Sequence, residues 1–498
     1  ENPRTTVLVK IHPDVFSGRK RGYFDARTLS RIARVQVVAK DLHPVRLIEK
    51  ALAVYVVTSQ IGFEGLLWGK PVRTFGMPFY GGWGLTQDDL PAPQRRRPAA
   101  LEQLVHAALI AYPRYVNPET GKRCEVEEVL AHIALQRRLR GRYPHHVYGV
   151  GFSRWKKPIV VSFLQGSSVH FVKRSEQVPP GATAAVWGRF PADAAGEAAT
   201  EPAGIDSRRE LRRIRNKSVI RLEDGFLRSV GLGADLVRPL SWVVDELGIY
   251  YDATAPSGLE HLLQNGVFAS ATLERAVNLR KRIVEYGLTK YNLGARQWHR
   301  PEMPGRRVIL VPGQVETDAS IRFGAPEIKS NMALLRAVRD AHPKAYVLYK
   351  PHPDVVAGLR KKGAGEGDAR HWCDEIVVDA AMNSLIETVD EVHVLTSLAG
   401  FEALLRGKKV VTYGQPFYAG WGLTQDMVPF ARRTRRLSLD ELVAGVLIEY
   451  PTYVSRTTKR YTTPERALDE LLAWRQAGAS SLPWWRKGLR WVLRWQKR

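Results

Sequence analysis

Cysteine is scarce in this chain: 498 residues contain only Cys124 and Cys373. Two are too few for a disulfide framework, which fits a reducing compartment such as the cytoplasm. No stretch approaches the 18 or so uninterrupted apolar residues that suggest a membrane-crossing helix. The opening ENPRTTVLVKIHPD has no signal-peptide pattern, so the expectation is a protein that neither crosses a membrane nor is secreted. DxD, CxxC, HExxH, Walker A and GxGxxG motifs are all missing, and no metal site is indicated. Acidic residues are in deficit, 50 against 75 Lys plus Arg, for a net charge of +25. Such a field attracts polyanions: nucleic acid, phosphorylated sugars or an anionic membrane. No basic recognition motif accompanies the charge, so nucleic acid is set aside as a partner.

What the chain does have is one segment written twice. Residues 76–88 read GMPFYGGWGLTQD and residues 414–426 read GQPFYAGWGLTQD. Upstream, KIHPDV (10–15) answers KPHPDV (350–355), and TSQIGFEGLLWGKPV (58–72) answers TSLAGFEALLRGKKV (396–410). Downstream, IAYPRYV (110–116) answers IEYPTYV (448–454). Such spacing means two copies of one domain, not a solenoid with its period of about 20–50 residues. The repeated residues include His, Ser, Thr and Gln as well as core apolars, which reads as a duplicated site.

Apolar β-branched runs alternate with helical periodicity, the pattern of α/β domains with parallel sheets. Expected strands are 35–39, 53–57, 71–76, 307–313, 345–350, 391–396 and 409–414, with helices over 333–340, 397–407 and 439–451. Segment 141–156 reads as a linker, and PIVVSFL (158–164), AAVWG (184–188) and SVIRLED (218–224) read as further strands. The order is then a C-terminal Rossmann-like half of a first module (1–140), an N-terminal, acceptor-side domain (150–300) and a C-terminal, nucleotide-sugar-binding domain (306–475). Two Rossmann-like domains facing a cleft make a GT-B glycosyltransferase, here one complete module preceded by half of another. The absent half suggests a cropped sequence. In the tail, 476–498, four Trp interleave with Arg and Lys, the pattern of an amphipathic helix lying on an anionic membrane.

Candidate site residues sit where strands end, the edge at which ligands bind in parallel α/β folds. His352-Pro353 follow the strand ending at Lys350 and recur at His12-Pro13; an imidazole there can donate to a phosphate. Thr396-Ser397 open a helix and recur as Thr58-Ser59. Two hydroxyls with unpaired backbone N–H groups and the helix dipole make an anion site. Gly400 and Glu402 follow, echoed by Gly62 and Glu64, the glycine allowing close approach of backbone to ligand. Adjacent Glu223 and Asp224 can raise one another's pKa for acid/base work, although an Asp-Gly turn alone explains the spacing. Gln314, Asp318 and Ser320 follow the strand 307–313. Asp318 is placed to act as a nucleophile or to orient substrate, while Ser320 is equally placed to cap the next helix.

Together, EDG (223–225), HP (352–353) and Thr-Ser (396–397) resemble motifs of bacterial sialyltransferases. EDGFLRSVGLG (223–233), PGQVETDAS (312–320), KPHPD (350–354) and GQPFYAGWGLT (414–424) more closely resemble the KpsC/LipB-type capsular polysaccharide family, over all but the tail. That resemblance implies a dual-module, retaining β-Kdo transferase that uses CMP-β-Kdo without a metal or other cofactor. It would build a Kdo linker on a phosphatidylglycerol-type lipid, at the inner face of the cytoplasmic membrane, alongside capsule export and assembly proteins. It further implies that His352, Thr396 and Ser397 hold the CMP phosphate. Asp318 would be the nucleophile, Glu223 the acid/base and Asp224 its orienting neighbour. Gln314, Ser320, Lys350, Gly400, Glu402 and Gln415 would complete the substrate site, with Arg228 and Arg322 as candidates for the Kdo carboxylate because a guanidinium pairs with it bidentately. The first copy keeps His12, Thr58, Ser59 and Glu64 as a nucleotide site but has no EDG or QxxxDxS before them, so only the second module is expected to be catalytically complete. The alternatives are a CMP-dependent sialyltransferase-like enzyme and a non-catalytic polyanion-binding scaffold of capsule export.

Overall fold

A computed structural model describes residues 4–22, 26–38, 42–189, 218–229, 237–290 and 296–477. The Trp-rich tail from 478 onward and the basic run 208–217 lie outside the described residues. The chain divides into two compact units, residues 1–129 and 130–498.

The larger unit contains two sheets. Six parallel strands run in the order Glu375–Ile376, Tyr346–Lys350, Val308–Pro312, Glu391–Val394, Lys409–Thr412, Gln425–Asp426. The central strand Val308–Pro312 is buried along its whole length, as expected of a strand covered on both faces, and this is why it reads as an unbroken apolar run. Its neighbours on the two sides come from successive crossovers in opposite directions, so the strand order reverses beside it. Helices pack over the sheet by ordinary amphipathic logic. In Asn331–Ala341, Ser330 caps the N-terminus by accepting from the Ala333 N–H at 3.2 Å, and Leu334, Leu335 and Val338 face the core.

The second sheet has seven strands in the order Tyr461–Thr462, Pro451–Val454, Ser241–Asp245, Val219–Asp224, Thr183–Trp187, His146–Val150, Ser168–Val172. The last four are parallel and the first three join antiparallel. The chain thus returns at 451–462 to a sheet begun at 146, after completing the six-stranded one.

Three local expectations change. Residues 141–156, read as a linker, contain the strand His146–Val150, whose Val147 is fully buried. PIVVSFL is a helix, Lys157–Phe163. Its β-branched run resembles a strand, but Pro158 presets the first turn, and Ile159, Val160 and Phe163 fall together on the buried face. The helix expected over 439–451 is α-helical only to Val443 and π-helical over Ala444–Glu449. There Gly445 sits so close to Leu263 that a Cβ would lie 2.5 Å from its Cδ2.

In the smaller unit, strands Val7–Lys10 and Val35–Val38 pair in parallel, and Val54–Val56, Val72–Thr74 and Gln87–Asp88 form a separate parallel sheet. Its core gathers Ile48, Val54, Phe63, Leu66, Val72 and Tyr80.

Candidate active site

Within residues 130–498 a cleft of about 580 Å³ opens at the carboxyl ends of the six-stranded sheet, next to the central strand where the order reverses. Open parallel sheets bind ligands at such points because loops diverge there. Glu223, Gln314, Asp318, Ser320, Lys350, His352, Thr396, Ser397 and Glu402 all line it. These residues, from four separate stretches of sequence, therefore meet in one place.

The strand Val308–Pro312 leads into Gln314. The Gln314 side-chain amide donates to Thr396 Oγ1 at 3.0 Å and its carbonyl accepts from the Thr396 N–H at 3.0 Å. This two-bond bridge aligns the ends of neighbouring strands. Asn331 locks Gln314 in turn, accepting from its N–H at 2.9 Å and donating to its carbonyl at 2.9 Å. Asp318, and not Ser320, stands at the N-cap of the helix Ala319–Gly324, but its carboxylate makes no capping bond. It lines the cleft half-buried. Burial raises its pKa, and Arg360 and Lys290 oppose the rise.

His352 caps the turn Pro353–Val356, its Nδ1 accepting from the Asp354 N–H at 3.2 Å. That bond assigns the proton of the neutral ring to Nε2, making it a donor. Burial keeps the ring neutral, lowering its pKa to about 4, with Lys290 and Arg360 adding to the effect. Ser397 caps the helix Leu398–Leu405 by accepting from the Ala399 N–H at 3.2 Å. A neutral N–H donor, two hydroxyls and a helix start thus line one wall, an arrangement that suits an anion.

Opposite chemistry lies at the end of strand Val219–Asp224. Burial first, then the neighbouring Asp224, lifts the Glu223 pKa to about 7, against the pull of its bond from the Asp224 N–H and of Lys156 and Lys290. A carboxyl with that pKa can take or give a proton near neutrality. The Lys156 ammonium is held 3.1 Å from the centre of the Trp187 ring.

Several expected site residues have other work. Arg228 is buried and pairs with Asp224 at 2.6 Å, and Trp242 Nε1 donates to the other Asp224 oxygen at 3.1 Å. Neither Asp224 nor Arg228 lines the cleft; together they brace the strand end that carries Glu223. Arg322 stacks on Phe323 and is also outside the lining. Gln415 donates to the Pro429 carbonyl at 2.7 Å, and its own N–H donates to Gly324. Gly400 is needed for a protein contact: a Cβ there would sit 2.2 Å from the Tyr418 hydroxyl, which donates to the Ser397 carbonyl. Lys350 does line the cleft, but its ammonium is held by the carbonyls of Val378 and Ala380, at 3.1 and 2.8 Å. Glu402 accepts from the Lys290 main-chain N–H at 2.6 Å, and burial raises its pKa to about 7.

Sequence reading missed Tyr251, Lys290, Arg360 and Asp379 in the lining. Arg360 had a signal: a basic turn follows HPDV in both copies, at 18–22 and 358–363. Lys290 and Tyr251 had none, since each belongs to the cleft only through the packing of the two sheets. Away from the cleft, candidate ligand atoms of His342, Glu391 and His393 lie within 4.8 Å of one another. Glu391 is already paired there with Arg307 at 2.9 Å and Lys409 at 3.4 Å.

In the first copy, His12 Nδ1 accepts from the Asp14 N–H at 3.2 Å and Ser59 Oγ from the Ile61 N–H at 3.3 Å. The Tyr80 hydroxyl donates to the Ser59 carbonyl, as Tyr418 does to Ser397. Asp88 accepts from Thr74, Thr86 and the Gly82 N–H, as Asp426 does from Thr412, Thr424 and the Gly420 N–H. The most repeated block, GWGLTQD, is therefore a brace behind the helix start. Thr58 and Glu64 keep their places at the start of and inside the helix Ile61–Leu67.

Comparison with known proteins identifies relatives of the chain. The chain is 42% identical over 485 residues to the capsule polysaccharide modification protein LipA of Neisseria meningitidis serogroup A, covering 95% of this chain and 66% of that protein. It is 49% identical over 236 residues to the lipopolysaccharide-processing protein LpsZ of Rhizobium meliloti, covering 47% of this chain and 54% of that one. A structure of Thermosulfurimonas dismutans KpsC, described as a beta Kdo 2,7 transferase, matches with a TM-score of 0.55 at 39% identity, over 66% of this chain and 99% of that one. A second KpsC structure, a beta Kdo 2,4 transferase, matches with the same TM-score at 32% identity, over 66% and 99%. The capsule polysaccharide biosynthesis protein model matches residues 1–115 and 205–455, and the chain belongs to that family.

Proposed function

We propose that residues 130–498 form a retaining glycosyltransferase of GT-B type that moves Kdo from CMP-β-Kdo to a lipid-linked, Kdo-terminated acceptor of capsule biosynthesis. The observation that carries this reading is that one cleft gathers a carboxylate without a capping bond, a carboxyl with a pKa near 7 and an anion-binding wall. The KpsC structures it resembles, described as beta Kdo transferases, support the same sugar.

Asp318 attacks the anomeric carbon as the bond to the CMP oxygen breaks, and CMP departs with the electron pair. His352 Nε2–H, Thr396, Ser397 and the helix start stabilise the departing phosphate. CMP is a good leaving group and needs little acid help. Ionised Glu223 then takes the proton of the acceptor hydroxyl, whose oxygen displaces Asp318 from the opposite face. Two inversions restore the β configuration, as in retaining glycosidases. Gln314 positions Thr396, and Ser320 lies beside the nucleophile. No described helix is long and apolar enough to cross a membrane, and the net charge of +25 suits an anionic donor, acceptor and lipid surface. Residues 1–129 would form the nucleotide-binding half of a second such module, with His12, Thr58 and Ser59 at its anion site.

The direct test is intact-protein mass spectrometry after incubation with CMP-β-Kdo generated in situ, with and without a Kdo-terminated acceptor. The expected result is a Kdo-sized adduct and an extended acceptor, both lost in Asp318→Ala while CMP still binds. Transfer that survives Asp318→Ala removes that residue as nucleophile. A folded protein giving neither adduct nor product removes the reaction.

A further inference from the structure

The basic turn after HPDV is built alike in both copies. Val355 N–H donates to the His352 carbonyl at 3.0 Å, Gly358 N–H to Val355 at 3.0 Å and Arg360 N–H to Asp354 at 3.1 Å. In the first copy Val15 donates to His12, Gly18 to Val15 and Lys20 to Asp14, at 3.0, 3.1 and 3.0 Å. Gly18 and Gly358 share a φ of +71°, the left-handed region that reverses the chain at low cost only for glycine. So Arg360 and Lys20 occupy one structural position, a single turn beyond the histidine.

In the second copy this turn is fastened at both ends. Leu359 is buried, and the Ala364 N–H donates to Glu316 Oε2 at 3.2 Å. Gly363 lies so close to Glu316 that a Cβ would be 2.4 Å from its Oε1. Glu316 belongs to the loop that carries Asp318, so the basic turn is tied to the nucleophile's own segment. Arg360 lines the cleft, within electrostatic reach of both Asp318 and His352. Among the described residues no carboxylate lies within ion-pair distance of its guanidinium. Of the cations expected from sequence, Arg228 and Lys350 are held by Asp224 and by two carbonyls, and Arg322 lies outside the cleft lining.

Resting on the proposed reaction, we propose that Arg360, presented by the turn 358–363, is the specificity residue that receives the carboxylate of the donor sugar. In a 2-ulosonic acid such as Kdo, the carboxylate is bonded to the anomeric carbon. Wherever Asp318 meets that carbon, the carboxylate is its neighbour, on the path to the phosphate at His352. A guanidinium reads a carboxylate bidentately, which an ammonium cannot. The first copy differs here, since Lys20 replaces arginine and is paired with Asp14 at 3.4 Å.

The test compares wild type, Arg360→Ala and Arg360→Lys in two measurements. One is donor KM and kcat with CMP-β-Kdo generated in situ; the other is calorimetric affinity for CMP, which has no carboxylate. Arg360 is solvent-exposed, so both variants should keep the wild-type melting temperature. The expected result is a donor KM raised about tenfold or more in Arg360→Ala, partly recovered in Arg360→Lys, with CMP affinity unchanged. A parallel loss of CMP affinity would assign the contact to the phosphate and overturn the carboxylate reading. An unchanged KM would overturn it as well, while leaving the transferase reading standing. A wild-type protein that neither binds CMP nor transfers would remove both.

Discussion

The two copies share a motif set and differ in what covers it. In the second copy the strand Val308–Pro312 pairs with Tyr346–Lys350 on one side and Glu391–Val394 on the other, making one sheet. In the first, the matching strands Val7–Lys10 and Val54–Val56 stand in two separate sheets, with no joining strand among the described residues. Surface follows the same division. Tyr450 is 5% exposed and donates to Asp245 at 2.7 Å, whereas Tyr112 is 88% exposed. Val454 and Leu395 are 2% and 0% exposed, against 57% and 50% for Val116 and Val57. Glu402 receives the Lys290 N–H, but the matching Glu64 has a buried oxygen with no hydrogen-bond partner among the described residues. Among the described residues, the repeated anion site is enclosed by a second sheet and a central strand only in the second copy. The lesson is that motif and enclosure are separable, and the proposed chemistry needs both.

The largest effect that would sharpen this contrast is on catalysis. Glu223→Gln should lower transfer by about 10²–10⁴-fold. Acting as a base, Glu223 must be ionised, so wild-type rate should climb as pH passes about 7, the value to which burial lifts its pKa. That limb should vanish in Glu223→Gln; a pH–rate profile keeping it would reassign the base.

Next in size are the matched tyrosines. Tyr450→Ala removes a buried ring and one of four donors to Asp245, which keeps the N–H groups of Leu247, Gly248 and Gly258, and should cost about 3–5 kcal/mol in denaturant unfolding. Tyr112→Ala should stay within about 0.5 kcal/mol. Equal losses would mean that the exposed face of the first copy is covered in solution.

The smallest contrast concerns the paired glutamates. Glu402 has its pKa raised to about 7 from 4.5, so the folded state holds an extra proton between those values. Its contribution to stability is therefore full below about pH 4.5 and declines as pH rises to about 7. Glu402→Gln should flatten that part of the melting-temperature profile. Glu64→Gln should change stability by no more than about 1 kcal/mol, because no partner is lost. A large destabilisation by Glu64→Gln would show that its carboxylate is satisfied in solution and would break the comparison.

Much of this was readable from the chain before any fold was known. Seven expected strands lie at 35–38, 54–56, 72–74, 308–312, 346–350, 391–394 and 409–412, each within a residue or two of its expected bounds. Runs such as VILVP and VVTYG leave little choice, because β-branched apolar residues between turn formers fit a strand and not a long helix. The segment 158–164 misled because its β-branched and apolar residues Ile159, Val160, Val161, Phe163 and Leu164 satisfy either period, and only Pro158 at the first turn hinted at a helix. His352, Thr396, Ser397, Gln314, Asp318 and Glu223 were legible as candidates because each lies at or just after a strand end, and strand ends converge in a parallel sheet.

Sequence by itself therefore determined the strand-end motifs, their repetition and the basic surplus, since all of these are properties of residue order and type. Tertiary structure alone decided which charges remain for a ligand. Arg228 looks as available as Arg360 on paper, yet Asp224 occupies it. The reason is physical: a charge is spent or kept according to what packs against it. Lys290 and Tyr251 reach the cleft, and Glu223 reaches a pKa near 7, only because two sheets far apart in sequence close over the same space.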